Sequence, residues 1–271
     1  MFIILCQMPI SRNGAATVVR RLTPSLVTTL AFAYLLTAVW FGMWLRRFIP
    51  PYDLSPDSRD TVKLAMGLVV TMSALVLGLL VDSTKGFYDR NRTRVMETAS
   101  KCVLLHRMLS IYGPKAAEVR GALHGLIEEM TRRMWSDDAD NRAEPTTRIS
   151  DDFYVAVLRL EAHDDTERTL KAQAISLTNE IAQVRSLMLA ESIPSISTPM
   201  LIMLVHWLVM IFFSASLIAP ASGTADLALI SSALCVAGAI FLILELDRPF
   251  NGFLRISREP MLNVLRLVGP S

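Results

Sequence analysis

Apolar residues in this chain are gathered into long blocks that ionisable residues do not interrupt. Between Arg21 and Arg46 there are 24 residues without Asp, Glu, Lys or Arg. There are 18 between Lys63 and Asp82, 34 between Glu191 and Asp226, and 18 between Asp226 and Glu245. A helix that crosses a bilayer needs roughly 20 mainly apolar residues. The four gaps therefore predict four spans, near Leu26–Leu45, Val62–Val81, Thr198–Ala219 and Leu227–Leu246. Alternating strand patterning is absent. A bilayer interior requires every backbone polar group to be satisfied internally, which favours helices. The apolar start Met1–Leu5 has neither a basic flank nor a small-residue cleavage pattern, so no signal peptide is expected and the first span is expected to stay inserted.

Between the second and third spans the pattern changes. Residues 83–192 carry 16 Lys and Arg and 17 Asp and Glu, 33 of the 52 charges of the chain. Apolar positions there recur at helical spacing. Val95, Ala99, Cys102, His106 and Leu109 form one stripe, and Gly113-Pro114 ends it. Val119, Leu123, Leu126, Met130 and Met134 form a second. A polar loop is expected from Ser136 to Ser150, with a third helix beginning after it at Asp151 and Asp152. Leu170, Ala174, Leu177, Ile181, Val184 and Met188 step by 4, 3, 4, 3 and 4, the seam of a helix packed along another. Residues 161–169 are too polar to extend that seam and are either a solvated stretch or a break. Pro194 and Pro199 mark the entry to the third span. The predicted organisation is an N-terminal tail 1–25, spans 26–82, a helical region 83–192, spans 193–247 and a tail 248–271.

Composition adds little to this pattern. The chain has 271 residues, 52% hydrophobic and 19% charged, with a net charge of +2 and three cysteines. This excludes a disulfide framework and a field that would attract nucleic acid. Basic residues set the orientation. Arg12, Arg20 and Arg21, then Lys85, Arg90, Arg92 and Arg94, then Arg248, Arg255, Arg258 and Arg266 place both termini and residues 83–192 in the cytoplasm. Arg46, Arg47, Arg59 and Lys63 oppose that vote, because they would lie outside.

No phosphate loop, GxGxxG, GxSxG or HExxH pattern occurs, and the four histidines lie far apart. An enzyme, a bound metal and a cofactor are not expected. Intramembrane polar groups are the default functional candidates. His206 falls near the middle of the third span, as a neutral packed histidine or as a pore-facing group. Glu245 and Arg248 are spaced to pair at the end of the fourth span. In the second span Gly67, Thr71, Ala74, Gly78 and Asp82 form a small, weakly polar stripe beside the apolar stripe Met66, Val70, Leu77 and Val81. Such a stripe suits close helix packing or a narrow apolar pore neck. Four spans are too few to enclose a pore alone, so permeation requires several copies, with the second span lining their shared axis. The candidate pore residues are Met66, Val70, Thr71, Ser73, Ala74, Leu77 and Gly78.

Two segments carry a resemblance. Residues 67–94 read GLVVTMSALVLGLLVDSTKGFYDRNRTR, and residues 244–260 read LELDRPFNGFLRISREP. With the order of spans, they resemble the bestrophin-like family of bacterial membrane proteins, and more distantly the bestrophins. The motif residues are Glu245, Asp247, Arg248, Pro249, Phe250 and Gly252. The resemblance implies an all-α, four-span inner-membrane protein with a helical cytoplasmic insert. It further implies a homo-oligomeric, pentameric channel for small anions whose pore is lined by the second span. Met66, Val70, Ser73, Ala74 and Leu77 would then lie near the pore neck. In animal bestrophins an acidic run after the Pro-Phe step helps bind calcium. Here Asn251-Gly252-Phe253-Leu254-Arg255 follows, so calcium gating is not implied. Two other readings stand beside the channel: a non-conducting scaffold that docks partners through its cytoplasmic helices, and a proton-coupled carrier using His206.

Overall fold

A computed structural model describes residues 24–48, 56–136, 147–190, 198–220 and 222–269. Regular structure among the described residues is entirely helical. In chain order the helices are α1 (Pro24–Leu45), α2 (Pro56–Tyr112), a 3-10 turn at Pro114–Ala116, α3 (Ala117–Met134), α4 (Thr147–Leu158), α5 (Asp165–Ala190), α6 (Thr198–Ile218), α7 (Gly223–Leu246) and α8 (Glu259–Val268). Four contain stretches long and apolar enough to cross a membrane: Leu26–Leu45, a window within Asp60–Tyr112, Pro199–Ile218 and Gly223–Leu246. The chain divides into two compact units, residues 1–85 with 195–247, and residues 86–194 with 248–271. Met1–Leu5, Cys6 and Pro194 lie outside the described residues.

In the first unit α1 packs against both α6 and α7. Ala31, Leu35, Ala38 and Val39 meet Leu201, Leu204, Leu208 and Phe212 of α6 and Ala233, Ile240 and Ile243 of α7. The small residues on α1 set the approach. At Gly42 an added Cβ would collide with the Ser216 hydroxyl and come within 2.9 Å of the Phe213 carbonyl oxygen, so the α6 backbone itself occupies that space. One turn later Arg46 closes the same end. Its guanidinium donates to the Ala219 and Pro220 carbonyls at 3.3 Å and to both Asp226 oxygens at 3.1 and 3.4 Å. It thereby satisfies carbonyls left over beyond the end of α6 and neutralises the carboxylate in the first turn of α7. Ser222, the α7 N-cap, accepts from the Ala225 N–H.

In the second unit the helical stripes converge on one core. Val95, Cys102, Leu105 and Leu109 of α2 pack with Leu123, Ile127 and Met130 of α3, Phe153 and Val157 of α4, Ala174 and Ile181 of α5, and Met261 and Val264 of α8. Burial pushes the Cys102 thiol up to about 12. Polar groups fix the edges. Lys101 pairs with Glu97 at 2.6 Å and with Glu180 of α5 at 3.2 Å. Lys171 donates to the Leu158 and Leu160 carbonyls, each at 2.8 Å, closing the end of α4. Asp164 and Glu167 form a variant of the capping box at the start of α5, in which Glu167 reaches the residue before the N-cap. Asp164 accepts from the Glu167 N–H at 2.6 Å, and Glu167 accepts from the His163 N–H at 2.7 Å.

Three boundaries differ from expectation. The helix that holds the second span does not stop at Val81 but continues to Tyr112, because no proline interrupts it and Thr84 and Asn91 bond back to the carbonyls of Leu80 and Phe87. The third helix of the charged region starts at Thr147 rather than after Ser150. The polar stretch near residue 161 is a break between α4 and α5, since the capping box starts a new helix there. The stop at Gly113 is as expected, with a left-handed φ of 92° that suits glycine.

Two outcomes follow from these contacts. Gly42→Ala should destabilise the folded chain by about 1–3 kcal/mol, the usual cost of overpacking a tight contact. A lowered thermal midpoint in detergent is the readout, and an unchanged midpoint would refute the close approach. Hydrogen bonds from Arg132, then Arg133, hold the Glu129 carboxyl at about 2 instead of 4.5. Its contribution to stability is thus complete above about pH 4.5 and is lost as pH falls through about 2. The midpoint difference between wild type and Glu129→Gln should be largest at neutral pH and shrink across that window; a constant difference would contradict it.

Candidate functional site

The helix that carries the sequence candidates is the one its own chain covers least. In its apolar window, 11% of α2 is buried, against 28%, 33% and 22% for the windows in α1, α6 and α7. Three helices bury one another, while α2 joins their core through Leu80, with Val76, Leu77 and Val81 partly buried beside it.

This attachment fixes the phase of α2. Ser73, Leu80 and Thr84 are buried, and Met66, Val69, Val76 and Leu77 are half-buried on the same side. Gly67, Thr71, Ala74, Gly78 and Asp82 are exposed. At 3.6 residues per turn the two groups point roughly 145° apart. The seven candidates are therefore divided: Met66, Ser73 and Leu77 lie on the covered side, Thr71, Ala74 and Gly78 on the open side, and Val70 at its edge, 44% exposed. A Cβ added at Gly67 or Gly78 would meet nothing within 4 Å. The small stripe is thus not matched to another helix among the described residues. Thr71 directs its hydroxyl back to the Gly67 carbonyl at 2.7 Å, which leaves the open face without a free donor there. Ser73 Oγ is buried and has no hydrogen-bond partner among the described residues.

His206 is exposed on α6. A bond to a carbonyl of a neighbouring helix is not found among the described residues. The motif residues fall at a corner. Glu245 is 4% exposed at the end of α7, and Asp247 is the C-cap. In the second unit the Ile256 N–H donates to the Pro249 carbonyl at 2.7 Å, closing a loop in which Gly252 has φ 101°. Phe250 meets Trp135 edge-on, with ring centroids 5.7 Å apart. Trp135 donates its indole N–H to the Ile256 carbonyl at 2.8 Å, and Arg258 donates to the Trp135 carbonyl at 3.2 Å. The motif thus folds the segment after α7 into a clasp on the end of α3. Trp135 is the residue that sequence reasoning missed; the stripe Val119–Met134 ended one residue short of it. The Arg46–Asp226 pair was missed for another reason, since 180 residues separate the partners.

Among the described residues no group of His, Cys, Asp and Glu is arranged to hold a metal ion. Replacing Trp135 by Phe keeps the ring contact but removes the N–H donor, leaving the Ile256 carbonyl without that partner. A cost of about 1–3 kcal/mol is expected, with faster proteolysis after Arg255 or Arg258; an unchanged cleavage rate would show that the bond does not hold the tail.

The profile of the Bestrophin-like domain matches residues 32–261. No curated protein matches the chain by sequence. Two crystal structures of a bacterial bestrophin homologue from Klebsiella pneumoniae, each carrying a different point mutation, share its fold. Their TM-scores are 0.63 and 0.61, each at 14% identity over 89% of this chain and 96% of theirs. The domain match extends from the middle of α1 to the start of α8 and takes in both units, so the chain belongs to the bestrophin-like family.

Proposed function

We propose that this chain is one subunit of a homo-oligomeric channel in a bacterial inner membrane, with α2 of each copy facing a shared axis and small anions diffusing past it. The observation that carries this reading is the open small-residue stripe of α2, Gly67, Thr71, Ala74 and Gly78, on the span that its own chain covers least. Small side chains leave room for a file of ions between copies. The stripe has no carboxylate until Asp82, so nothing fixed on it repels an anion until that end. Passage is by diffusion through a narrow apolar neck, without covalent chemistry. Of the seven candidate residues, Thr71, Ala74 and Gly78 are assigned to the wall, Val70 to its rim, and Met66, Ser73 and Leu77 to the packing that orients it. The termini and residues 83–192 are assigned to the cytoplasm. Arg46, which opposes that orientation by simple counting, is compensated by Asp226.

A second reading has its own observation. Met96, Leu104 and Ile111 are 46%, 46% and 63% exposed on the charge-rich part of α2. A non-conducting scaffold that docks a partner on this apolar face is compatible with them. Crosslinking with mass spectrometry separates the readings, because contacts between identical copies favour the channel and a stoichiometric foreign partner favours the scaffold. The carrier reading depends on His206 alone, and unchanged transport in His206→Ala would remove it.

The decisive measurement is halide flux into liposomes containing the purified protein, together with the symmetry of the particle seen down the membrane normal. Five-fold symmetry and flux above empty liposomes are expected. Gly78→Leu, at a position where an added Cβ meets nothing among the described residues, should lower flux by about tenfold or more by narrowing an apolar neck. Absence of flux at several pH values with the oligomer intact would overturn the proposal.

A further inference from the structure

The last turns of α1 and the residues just after it carry an aromatic patch that the packing of the chain only partly covers. Trp40, Phe41, Trp44 and Phe48 are 66%, 48%, 43% and 65% exposed. Phe87, Tyr112, Trp135, Phe153 and Phe212 are buried, whereas Tyr34 and Phe253 are exposed outside this patch. Three of these rings, Phe41, Trp44 and Phe48, form one surface. Phe41 stacks on Trp44 at 5.8 Å, Trp44 meets Phe48 at 4.7 Å, and Phe41 also stacks on Phe213 of α6 at 5.9 Å. Each such ring buries about 150–250 Å² when covered, so leaving all four in water would be costly.

Position and charge identify what covers the patch. It lies at the end of a span, where hydrocarbon gives way to polar headgroups and where Trp is enriched because its ring is apolar and its N–H is not. Arg46, at the same level, is turned away into its pair with Asp226 and is only 14% exposed. Arg47 is exposed between Trp44 and Phe48 in sequence. A face of aromatic rings with one cation at its rim matches the ester and phosphate region of a phospholipid. It is a poor match for a second copy, because the small residues of α1 that allow close approach, Ala31, Ala38 and Gly42, are already turned to α6 and α7.

We propose that Trp40, Phe41, Trp44, Phe48 and Arg47 anchor α1 in the headgroup interface of the bilayer, so that this face of α1 meets lipid and not another subunit. The ends of α1 and α6 and the start of α7, which the Arg46 clamp holds together, then lie at one membrane surface. The inference rests on the chain spanning a membrane and is independent of whether α2 conducts.

The chain has four tryptophans, which makes the test direct. The full-length protein is placed in phosphatidylcholine vesicles brominated either near the glycerol end or near the ends of the acyl chains. Wild-type fluorescence should be quenched about twofold more by the shallow label, as an interfacial aromatic belt requires. That preference should vanish in Trp40→Phe/Trp44→Phe, which retains Trp135 and Trp207. If the double variant does not fold, the single variants Trp40→Phe and Trp44→Phe should each lose part of the preference. Equal quenching at both depths, or none, in wild type would overturn the proposal by showing another copy or water over the patch. A shallow preference that survives in the variants would equally overturn it.

Discussion

The packing of α1 against α6 and α7 is the constraint on which the first unit depends. Where every helix carries apolar side chains on all sides, hydrophobicity cannot choose partners, and shape does. Gly42 allows α1 to approach the α6 backbone to a distance that no other residue permits. Ala31 and Ala38 continue that narrow face, and Arg46 then ties α1 to both α6 and α7 at one end. With three helices satisfied by one another, α2 meets the core of this unit through Leu80 and its neighbours, and its small-residue face stays open among the described residues.

The second unit is organised by a different force. Its apolar stripes are separated by charged faces, so water drives them onto one core. Local polar devices then set where each helix starts and stops: the Asp164–Glu167 capping box, Lys171 on the last carbonyls of α4, and Lys101 between Glu97 and Glu180. The run after α7 contributes no ligand set. Its Phe250 and the Ile256 carbonyl grip Trp135, which makes it a structural corner.

Much of this was legible before any coordinates. Uncharged runs locate spans because a charge in hydrocarbon is costly, and three of the four expected spans coincide nearly end to end with apolar helical stretches. The stripes Val119–Met134 and Leu170–Met188 are helices, and Gly113 ends its helix as glycine and proline dictate. The continuity of α2 past Val81 was not legible, because the change from apolar to charged residues resembles a boundary although the backbone has no reason to break. The phase of α2 was not legible either. Leu, Val and Met occur on every side of it, so periodicity does not distinguish Ser73, which is covered, from Ala74, which is not.

The sequence by itself thus determined the number and position of the apolar helices, the charged helical region between them and the family. Each of these depends on local composition, which a linear chain displays. Only the tertiary structure decided which face of α2 is open, where the charge of Arg46 goes and what Trp135 holds. These are contacts between residues far apart in the chain: Arg46 with Asp226, Trp135 with Ile256, and Gly42 with Ser216. The reason is physical, since complementarity of shape and charge belongs to pairs of surfaces and not to either strand of sequence alone.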